Sequence, residues 1–389
     1  MDQTPELSSR RRRLLIGLYI PVTLLYWISL YLYLPTLPTY TQSKTESLAM
    51  VGTILAQYGL WQVVTRLPIG IAADWLGRRK PLIVIGLLLS GVGAYIMGTA
   101  GGAGELLVGR AITGLAAATW VPLTVIFSSF FPAGDAVRAT SLLTAVGSVG
   151  RVMSAGVTGT LNKWGGYSLA FYLAAGVAGL AIVALLPARE TAHPPRQPSA
   201  RDIGRLITRR DVLLPALLSA IGQYATWAVP FGFLPILADR LGADDVMQSI
   251  LVSLHIGVMT VGSLVAAALS KRIGARQLVY ASFLILAVGI AAAAAAPSLP
   301  LVFVAQFLIG VAIGISYPVL MGMSIRNVDN AERTTAMGLH QAVYAVGMFA
   351  GPWLSGILAD GIGLRPMLGV TALGCLILGL APMRLVPRR

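Results

Sequence analysis

Two arginines, Arg110 and Arg151, lie inside long apolar stretches of the sequence. An arginine near the centre of a bilayer costs at least about 2.5 kcal/mol on insertion scales and is normally paired. The 15 acidic residues, however, all fall in loops, tails or the predicted ends of these stretches. A guanidinium group without a protein carboxylate suits bidentate binding of a ligand's carboxylate or phosphate. We therefore predict a cationic site for an acidic group, although backbone carbonyl groups and water could satisfy both arginines instead.

Two histidines are the remaining titratable candidates in apolar stretches. His255 and His340 each lie about eight residues into such a stretch. Either could exchange a proton near neutral pH, and either could be a structural hydrogen-bond donor. No carboxylate is expected at mid-membrane, whereas many proton-coupled exporters of cationic drugs have one there, because a buried acid both titrates and pairs with a cation; this argues against a cationic-drug antiporter.

The composition shows which elements must position these residues. The chain has 389 residues, of which 56% are hydrophobic and 11% charged, and its mean hydropathy is +0.77. A spanning helix needs about 20 mainly apolar residues, and the alternating pattern of a membrane barrel is absent. The sequence predicts an all-α integral membrane protein of twelve transmembrane spans, numbered in chain order: 14–34, 47–70, 81–100, 104–129, 137–160, 167–187, 212–237, 247–270, 277–296, 300–325, 333–357 and 365–385.

Basic residues mark one side of the membrane. With the amino terminus in the cytoplasm, 23 of the 29 Lys and Arg residues fall on the cytoplasmic side, Arg66 among them. Only four fall on the opposite side: Lys44, Lys163, Arg240 and Arg365. This imbalance predicts a cytoplasmic-membrane protein with both termini inside, and explains the net charge of +14 without a nucleic-acid partner. The first apolar run is too long for a leader peptide and lacks a small-residue cleavage site.

The chain also shows an internal repeat. A polar segment, 188–211, contains three prolines and separates a half with six spans, 1–187, from another, 212–389, so we interpret it as a linker. A shift of 196 places Gly114 on Gly310 and Pro122 on Pro318. A shift of 197 matches three further glycine pairs: Gly77 with Gly274, Gly150 with Gly347, and Gly159 with Gly356. Two pseudo-symmetric halves of six helices are predicted, as in internally duplicated transporters.

The segment after span 2 carries a family resemblance. It reads Gly70-Ile-Ala-Ala-Asp74-Trp-Leu-Gly77-Arg78-Arg79-Lys80 and resembles motif A of the major facilitator superfamily. In that family this motif latches the outward-facing state. Asp74 can accept charge-assisted hydrogen bonds, and Gly77 permits a tight turn. A basic loop that only sets topology would show the same charges.

Two further segments resemble motifs of the drug:proton antiporter-like branch of that family, although the second of them is degraded. Arg110 to Gly114 resembles motif B, with Thr113 in place of the usual glutamine; the family associates this arginine with proton coupling. The antiporter motif C is degraded over Gly150 to Gly159, which weakens the antiporter assignment. A closer match occurs in span 11, in the segment that contains Gly347, Gly351, Pro352 and Gly356. Small residues four apart allow close helix packing, so these glycines are predicted to pack helices.

The resemblance implies a central cavity lined by spans 1, 4, 7 and 10, with spans 2, 5, 8 and 11 at its sides. Polar and aromatic side chains there could stack on and hydrogen-bond an amphipathic solute, and others would form the interfacial aromatic belt. The pocket candidates are Tyr26, Tyr31, Gln57, Trp61, Trp120, Gln223, Tyr224, Trp227, Gln306, Tyr317, Gln341 and Tyr344.

The expected function is therefore secondary transport of a small amphipathic solute by alternating access, as a monomeric exporter with the proton as coupling ion. An importer of an organic anion, a lipid translocator in the same fold, and a receptor that binds without flux remain alternatives. An enzyme is not expected, since the sequence has no phosphate loop, no paired metal-binding histidines and no nucleophile elbow. No cofactor or metal is predicted.

The predicted topology can be tested by cysteine accessibility. A cysteine at position 199, in the linker, should react with an impermeant thiol reagent only from the cytoplasmic side, and a cysteine at position 43 only from outside. The native Cys375 lies in span 12 and is removed first. Labelling of position 199, but not of 43, in intact cells would reverse the orientation.

Overall fold

The computed structural model describes residues 9–132, 135–190, 204, 206–329 and 333–381, without the side chains of residues 9, 74, 136, 137, 267, 271, 333 and 334. All regular secondary structure in this part of the chain is helical. Ten helices are long and apolar enough to cross a membrane, and a shorter apolar helix follows them. One of the ten, Ala136–Leu185, is interrupted at Gly165 (φ −146°, ψ 21°) and Gly166 (φ 68°, ψ −179°) and holds two spans. The twelve-span prediction is confirmed.

The helix bounds follow the predicted spans closely. In the N-terminal half, span 1 is Ser9–Tyr31 continued by Leu34–Thr36 and Leu37–Gln42; the following spans are Leu48–Leu76, Lys80–Gly98, and Ala103–Ala118 with Trp120–Ser128, and then the two parts of Ala136–Leu185. Span 7 is Arg210–Ala228 followed by Val229–Phe233 and Leu234–Arg240, and spans 8 to 12 are Asp245–Ile273, Ala275–Ala295, Leu299–Ile325, Arg333–Ile362 and Leu364–Leu380. Most of the linker, residues 191–203 and 205, lies outside the described residues.

Span 2 is longer than predicted. It runs to Leu76 and ends at Gly77, whose φ of 58° lies in the left-handed region that glycine adopts without strain. Gly70 and Asp74 therefore belong to the helix, and the prediction of a loop beginning at Gly70 is wrong. The predicted span ended too early because a single charged residue, Asp74, does not stop a helix that otherwise continues through apolar residues.

The internal repeat is visible in backbone contacts. Gly114 of span 4 packs against the span 2 backbone at Gln57, and Gly310 of span 10 packs against span 8 at Val258 and His255. Gly150 of span 5 meets span 1 at Leu24, and its counterpart Gly347 of span 11 meets span 7 at Ala220. These two matched pairs thus join equivalent helices in both halves, which agrees with the pseudo-symmetric architecture.

The two halves meet closely at the distal end, meaning the end of the bundle opposite the two termini. Asp360 of span 11 accepts hydrogen bonds from the Leu48 backbone N–H (2.8 Å) and the Ser47 hydroxyl (2.9 Å) at the start of span 2. A second contact between the halves is made by Asp245 of span 8, which accepts hydrogen bonds from the side chains of Asn162 (3.0 Å) and Tyr167 (3.3 Å) in the N-terminal half. The distal end is therefore shut.

An ion pair adds to this closure. Lys163 Nζ lies 2.9 Å from the Asp244 carboxylate, and this hydrogen bond lowers the pKa of Asp244 below its ordinary value. Both side chains are about half exposed, so the pair contributes little to stability. It favours the alignment of span 5 with span 8.

Gly159 is a very close backbone approach between the halves at this end, and its substitution tests the closure. A Cβ there would overlap the backbone of Asp245 and Val246 in span 8. We expect Gly159→Ala to destabilise the closed form by about 1–3 kcal/mol through overpacking. In detergent-purified protein the midpoint of thermal unfolding should fall by a few degrees.

The matched control is Gly176→Ala in span 6, where a Cβ would meet nothing within 4 Å. It carries the same gain in helix propensity without the overlap. Equal unfolding midpoints for the two variants would contradict the close contact at Gly159.

Candidate functional site

Arg110 is held in the middle of the bundle by aromatic rings. It belongs to span 4 and is 1% exposed. Its guanidinium carbon lies 4.2 Å from the centre of the Tyr58 ring and 5.9 Å from that of Trp227. Its Nε and Nη1 atoms are buried without a hydrogen-bond partner. Tyr58 comes from the N-terminal half and Trp227 from the C-terminal half, so Arg110 lies where the halves meet.

Arg151 has a similar environment on span 5. Its guanidinium carbon lies 4.7 Å from the Trp27 ring and 5.8 Å from the Tyr31 ring. Nη2 donates to the Ser148 hydroxyl at 3.0 Å, whereas Nε is buried and unpartnered. Aromatic faces attract a guanidinium group, but they leave the N–H groups, which lie in the plane of the guanidinium group itself, free to donate hydrogen bonds.

A third arginine belongs to this set, and sequence reasoning misplaced it. Arg66 was counted among the cytoplasmic basic residues, but it lies ten residues before the end of span 2 and is half-buried. It donates to the Tyr344 hydroxyl of span 11 and to Gln62, both at 2.7 Å, and its Nε is unpartnered. The i, i+4 spacing of Gln62 and Arg66 on one helix face was the available signal.

We call Arg66, Arg110 and Arg151 the intramembrane arginines. Among the buried side chains of the described residues there is no aspartate or glutamate. The prediction that no protein carboxylate neutralises Arg110 and Arg151 agrees with this environment. Aromatic rings contact both arginines, and the Ser148 hydroxyl accepts a hydrogen bond from Arg151.

Aromatic rings connect the arginines across the two halves. Tyr31 lies 6.2 Å from Phe231, Phe231 lies 5.1 Å from Trp227, and Trp227 lies 4.9 Å from Tyr58, between ring centres. Trp120 packs on this group from span 4, 5.0 Å from Trp27. We call Trp27, Tyr31, Tyr58, Trp120, Trp227 and Phe231 the aromatic cluster. Of the predicted pocket residues, Tyr31, Trp120 and Trp227 belong to it, whereas Trp27, Tyr58 and Phe231 were missed.

His255 faces the aromatic cluster from span 8. The residue is fully buried, neither ring nitrogen has a hydrogen-bond partner, and its ring centre lies 5.4 Å from that of Phe231. Gln306 of span 10 is also fully buried; its Nε2 donates to the Leu251 carbonyl at 3.2 Å and its Oε1 is unpartnered. His255 therefore offers free polar atoms beside the cluster, and Gln306 offers one on a side chain bonded to span 8 one turn before His255.

His340 lies elsewhere, towards the termini end of the C-terminal half. Its Nδ1 is 2.7 Å from the Ser324 hydroxyl, which itself donates to the Val212 carbonyl at 3.1 Å. Nδ1 must then carry the proton, and Nε2 is buried and unpartnered. The His340 ring centre lies 6.2 Å from that of Tyr344, the partner of Arg66.

Other predicted pocket residues make hydrogen bonds within one helix or between neighbouring helices. Tyr26 donates to the Ala116 and Ala117 carbonyls (3.0 and 3.1 Å), Gln57 donates within its own helix, and Gln223 accepts from Trp227. Tyr224 bonds Ser355, joining spans 7 and 11. Of the three further candidates, Tyr317 has its ring centre 5.9 Å from that of Tyr344, Trp61 has a buried and unpartnered Nε1, and Gln341 is partly buried.

The loop of the motif A segment is bound to its own half. The backbone N–H groups of Arg79 and Lys80 donate to the two carboxylate oxygens of Glu190 (2.6 and 2.8 Å), at the start of span 3. Lys80 Nζ also reaches the carbonyl groups of Leu186 and Ala188. Glu190 had no signal in the sequence beyond its charge at the end of span 6. Arg78 is exposed, and the side chain of Asp74 lies outside the described part of the chain.

The span 11 glycines pack against neighbouring helices. A Cβ at Gly351 would overlap the Tyr224 carbonyl of span 7, and one at Gly356 would lie 2.7 Å from the Leu48 carbonyl of span 2. The carbonyl of Pro352 in turn meets Gly52 of span 2. These contacts let span 11 approach both halves closely.

A family model agrees with this geometry. The model of the Major Facilitator Superfamily matches residues 19–229 and again 216–389, which together cover nearly the whole chain.

Several curated proteins are similar in sequence. The chain is 30% identical over 192 residues to "Multidrug resistance protein 1" of Bacillus subtilis (48% of this chain, 44% of that protein). It is 24% identical over 237 residues to "Quinolone resistance protein NorA" of Staphylococcus aureus (61% and 58%), and 35% identical over 88 residues to "Inner membrane transport protein YajR" of Escherichia coli (22% and 19%). The matched segments thus span between about a fifth and three fifths of these relatives.

Solved structures share the fold. A point mutant of the nucleoside transporter NupG superposes with a TM-score of 0.81 at 17% identity, covering 96% of this chain and 100% of that one. A bacterial homologue of the human lysosomal transporter Spinster gives 0.81 at 16% identity, covering 97% of each chain. The solved structures share the fold of this chain, and the family match over nearly its whole length shows that it belongs to the major facilitator superfamily and is an integral membrane transporter, not an enzyme.

Proposed function

We propose that this transporter exports an amphipathic organic anion with an aromatic body from the cytoplasm, by alternating access, with the proton as coupling ion. One observation carries the substrate class: the intramembrane arginines hold unpartnered, buried N–H groups beside an aromatic cluster made by both halves. Export is proposed from relatives named for drug and quinolone resistance. The proton is proposed because His255, a side chain able to titrate near neutral pH in water, borders the cluster.

The arginines favour an anion for an energetic reason. A cation–π contact contributes about 0.5–2 kcal/mol, but it leaves the in-plane donors unsatisfied. An unpaired buried donor costs about 1–3 kcal/mol, and more when charged. A substrate carboxylate would accept from these donors in the bidentate geometry that guanidinium presents. The aromatic cluster would stack on the apolar body of the same molecule.

The position of the site supports alternating access. The aromatic cluster takes rings from both halves, and the distal end is closed by Asp360, Asp245 and the Gly159 contact. A substrate that enters from the termini end must await separation of these distal contacts before release. The motif A segment, whose loop is tied to Glu190 at the termini end, is proposed to latch the opposite state.

A matched set of probes tests substrate charge and direction. Purified protein in liposomes is loaded with unlabelled compound, and uptake of radiolabelled 2-naphthoate, 2-naphthol or trimethyl-2-naphthylammonium is followed under imposed pH gradients. We expect counterflow of 2-naphthoate but not of 2-naphthol or trimethyl-2-naphthylammonium. We also expect this counterflow to be faster when the imposed pH gradient drives protons in the direction opposite to the substrate. Counterflow of the cation alone would refute an anion exporter, and net uptake into cells would make the protein an importer. Saturable binding without flux in any orientation would indicate a receptor.

Substitution of Arg110 tests the role of the guanidinium group. Arg110→Lys keeps the charge but loses the planar fork, so we expect at least about tenfold weaker binding of 2-naphthoate by isothermal titration calorimetry. Arg365→Lys is the control, because Arg365 lies at the distal end of span 12 and donates to the Ala294 carbonyl away from the site. Unchanged affinity in Arg110→Lys, or an equal loss in Arg365→Lys, would remove Arg110 from the site.

A further inference from the structure

The two halves place different chemistry at equivalent positions of the repeat. At the shifts found in the sequence, Arg110 corresponds to Gln306 and Tyr58 to His255. The structure supports this pairing, because Gly114 packs on Tyr58 in the N-terminal half and Gly310 packs on His255 in the C-terminal half. A charged, aromatic pair in the first half therefore has a neutral, hydrogen-bonding counterpart in the second.

The charge asymmetry extends to the other arginines. Arg66 and Arg151 correspond to Ser263 and Met348, which carry no charge. Among the buried side chains of the described residues in the C-terminal half there is no Lys, Arg, Asp or Glu. The fold thus does not need a cation at any of these positions, since one half is built without them.

The counterpart pair in the C-terminal half is not satisfied by the protein. His255 has both ring nitrogens and Gln306 has Oε1 without a partner, and both residues are fully buried. An unsatisfied buried polar group is costly, so groups of this kind mark ligand or water positions. Neutral imidazole offers one donor and one acceptor, and Gln306 Oε1 offers an acceptor. This set complements a hydroxyl or a primary amide.

Apolar rings separate the charged and neutral positions. Between Arg151 and His255, the guanidinium carbon of Arg151 lies 5.8 Å from the centre of the Tyr31 ring. The Tyr31 ring lies 6.2 Å from that of Phe231, and the Phe231 ring lies 5.4 Å from that of His255, between ring centres. From Arg110 they pass over Tyr58, Trp227 and Phe231. A ligand that satisfies both ends needs an aromatic body between them.

We infer that the substrate has two unlike ends: an acidic group bound by the arginines of the N-terminal half and an uncharged hydrogen-bonding group bound by His255 and Gln306 of the C-terminal half. This rests on the proposed function and adds the second recognition group and the orientation of the bound molecule. Such a substrate ties the halves together, and a molecule lacking one end would bind to one half only.

A pair of probes that differ only at the second end tests this. Binding of 6-hydroxy-2-naphthoate and of 2-naphthoate is measured by calorimetry in the wild type, His255→Leu, Gln306→Leu and Arg110→Gln. We expect the hydroxylated acid to bind about tenfold more tightly to the wild type and to lose that advantage in His255→Leu. Arg110→Gln should weaken both acids by a similar factor. Ser282→Ala, which removes a buried hydroxyl bonded within span 9, should change neither.

The outcomes separate this inference from the proposed function. If neither acid binds the wild type, the anion proposal itself fails. If both acids bind equally well, or the hydroxyl advantage survives in both His255→Leu and Gln306→Leu, the anion site stands and the second recognition group is refuted. Should His255→Leu not yield folded protein, as judged by its unfolding midpoint, Gln306→Leu decides the question with the same pair of probes.

Discussion

Positive charge held in an apolar interior is the constraint on which the rest of this molecule depends. Three guanidinium groups lie within the membrane-spanning bundle, and the described residues bury no carboxylate to pair with them. Aromatic faces and a few hydroxyl and amide groups are what the protein supplies instead. Rings stabilise the charge without using all of its donors, so the site stays charged, partly desolvated and able to accept an anion.

This arrangement requires helices that approach each other very closely. Rings from spans 1, 2, 4 and 7 can meet around Arg110 and Arg151 only because glycines bring the backbones together. Gly114 sets span 4 against the part of span 2 that carries Tyr58, and Gly150 sets span 5 against span 1. The packing glycines and the charged site are thus parts of one construction. The same kind of contact also closes the distal end between the halves.

The duplication explains both the likeness and the difference of the halves. Equivalent glycines keep the same helix pairs, so the backbone frame is repeated. The side chains at the centre differ between the halves: Gln306 stands at the repeat position equivalent to Arg110, and His255 at the position equivalent to Tyr58. In the proposed mechanism, this pseudo-symmetric frame around an asymmetric centre would let the halves rock against each other while a bound molecule keeps one orientation. Contacts between the halves, such as that of Thr39 with Gln248 (2.9 Å), belong to the interface that such rocking must rearrange.

The sequence by itself determined the class of protein, the number of spans, the repeat, and the position of Arg110 and Arg151 inside apolar spans. Each of these is visible as apolar length or residue spacing along the chain. It failed at Arg66, which the count of basic residues assigned to the cytoplasmic side although it lies within span 2, because that count registers charge and not depth along a helix. Only the tertiary structure decided what surrounds the arginines. His255 and His340 look alike in sequence, yet one borders the aromatic cluster and the other bonds a serine. The physical reason is that a neighbour on another helix is set by backbone approach and helix rotation, which the order of residues along one helix does not encode.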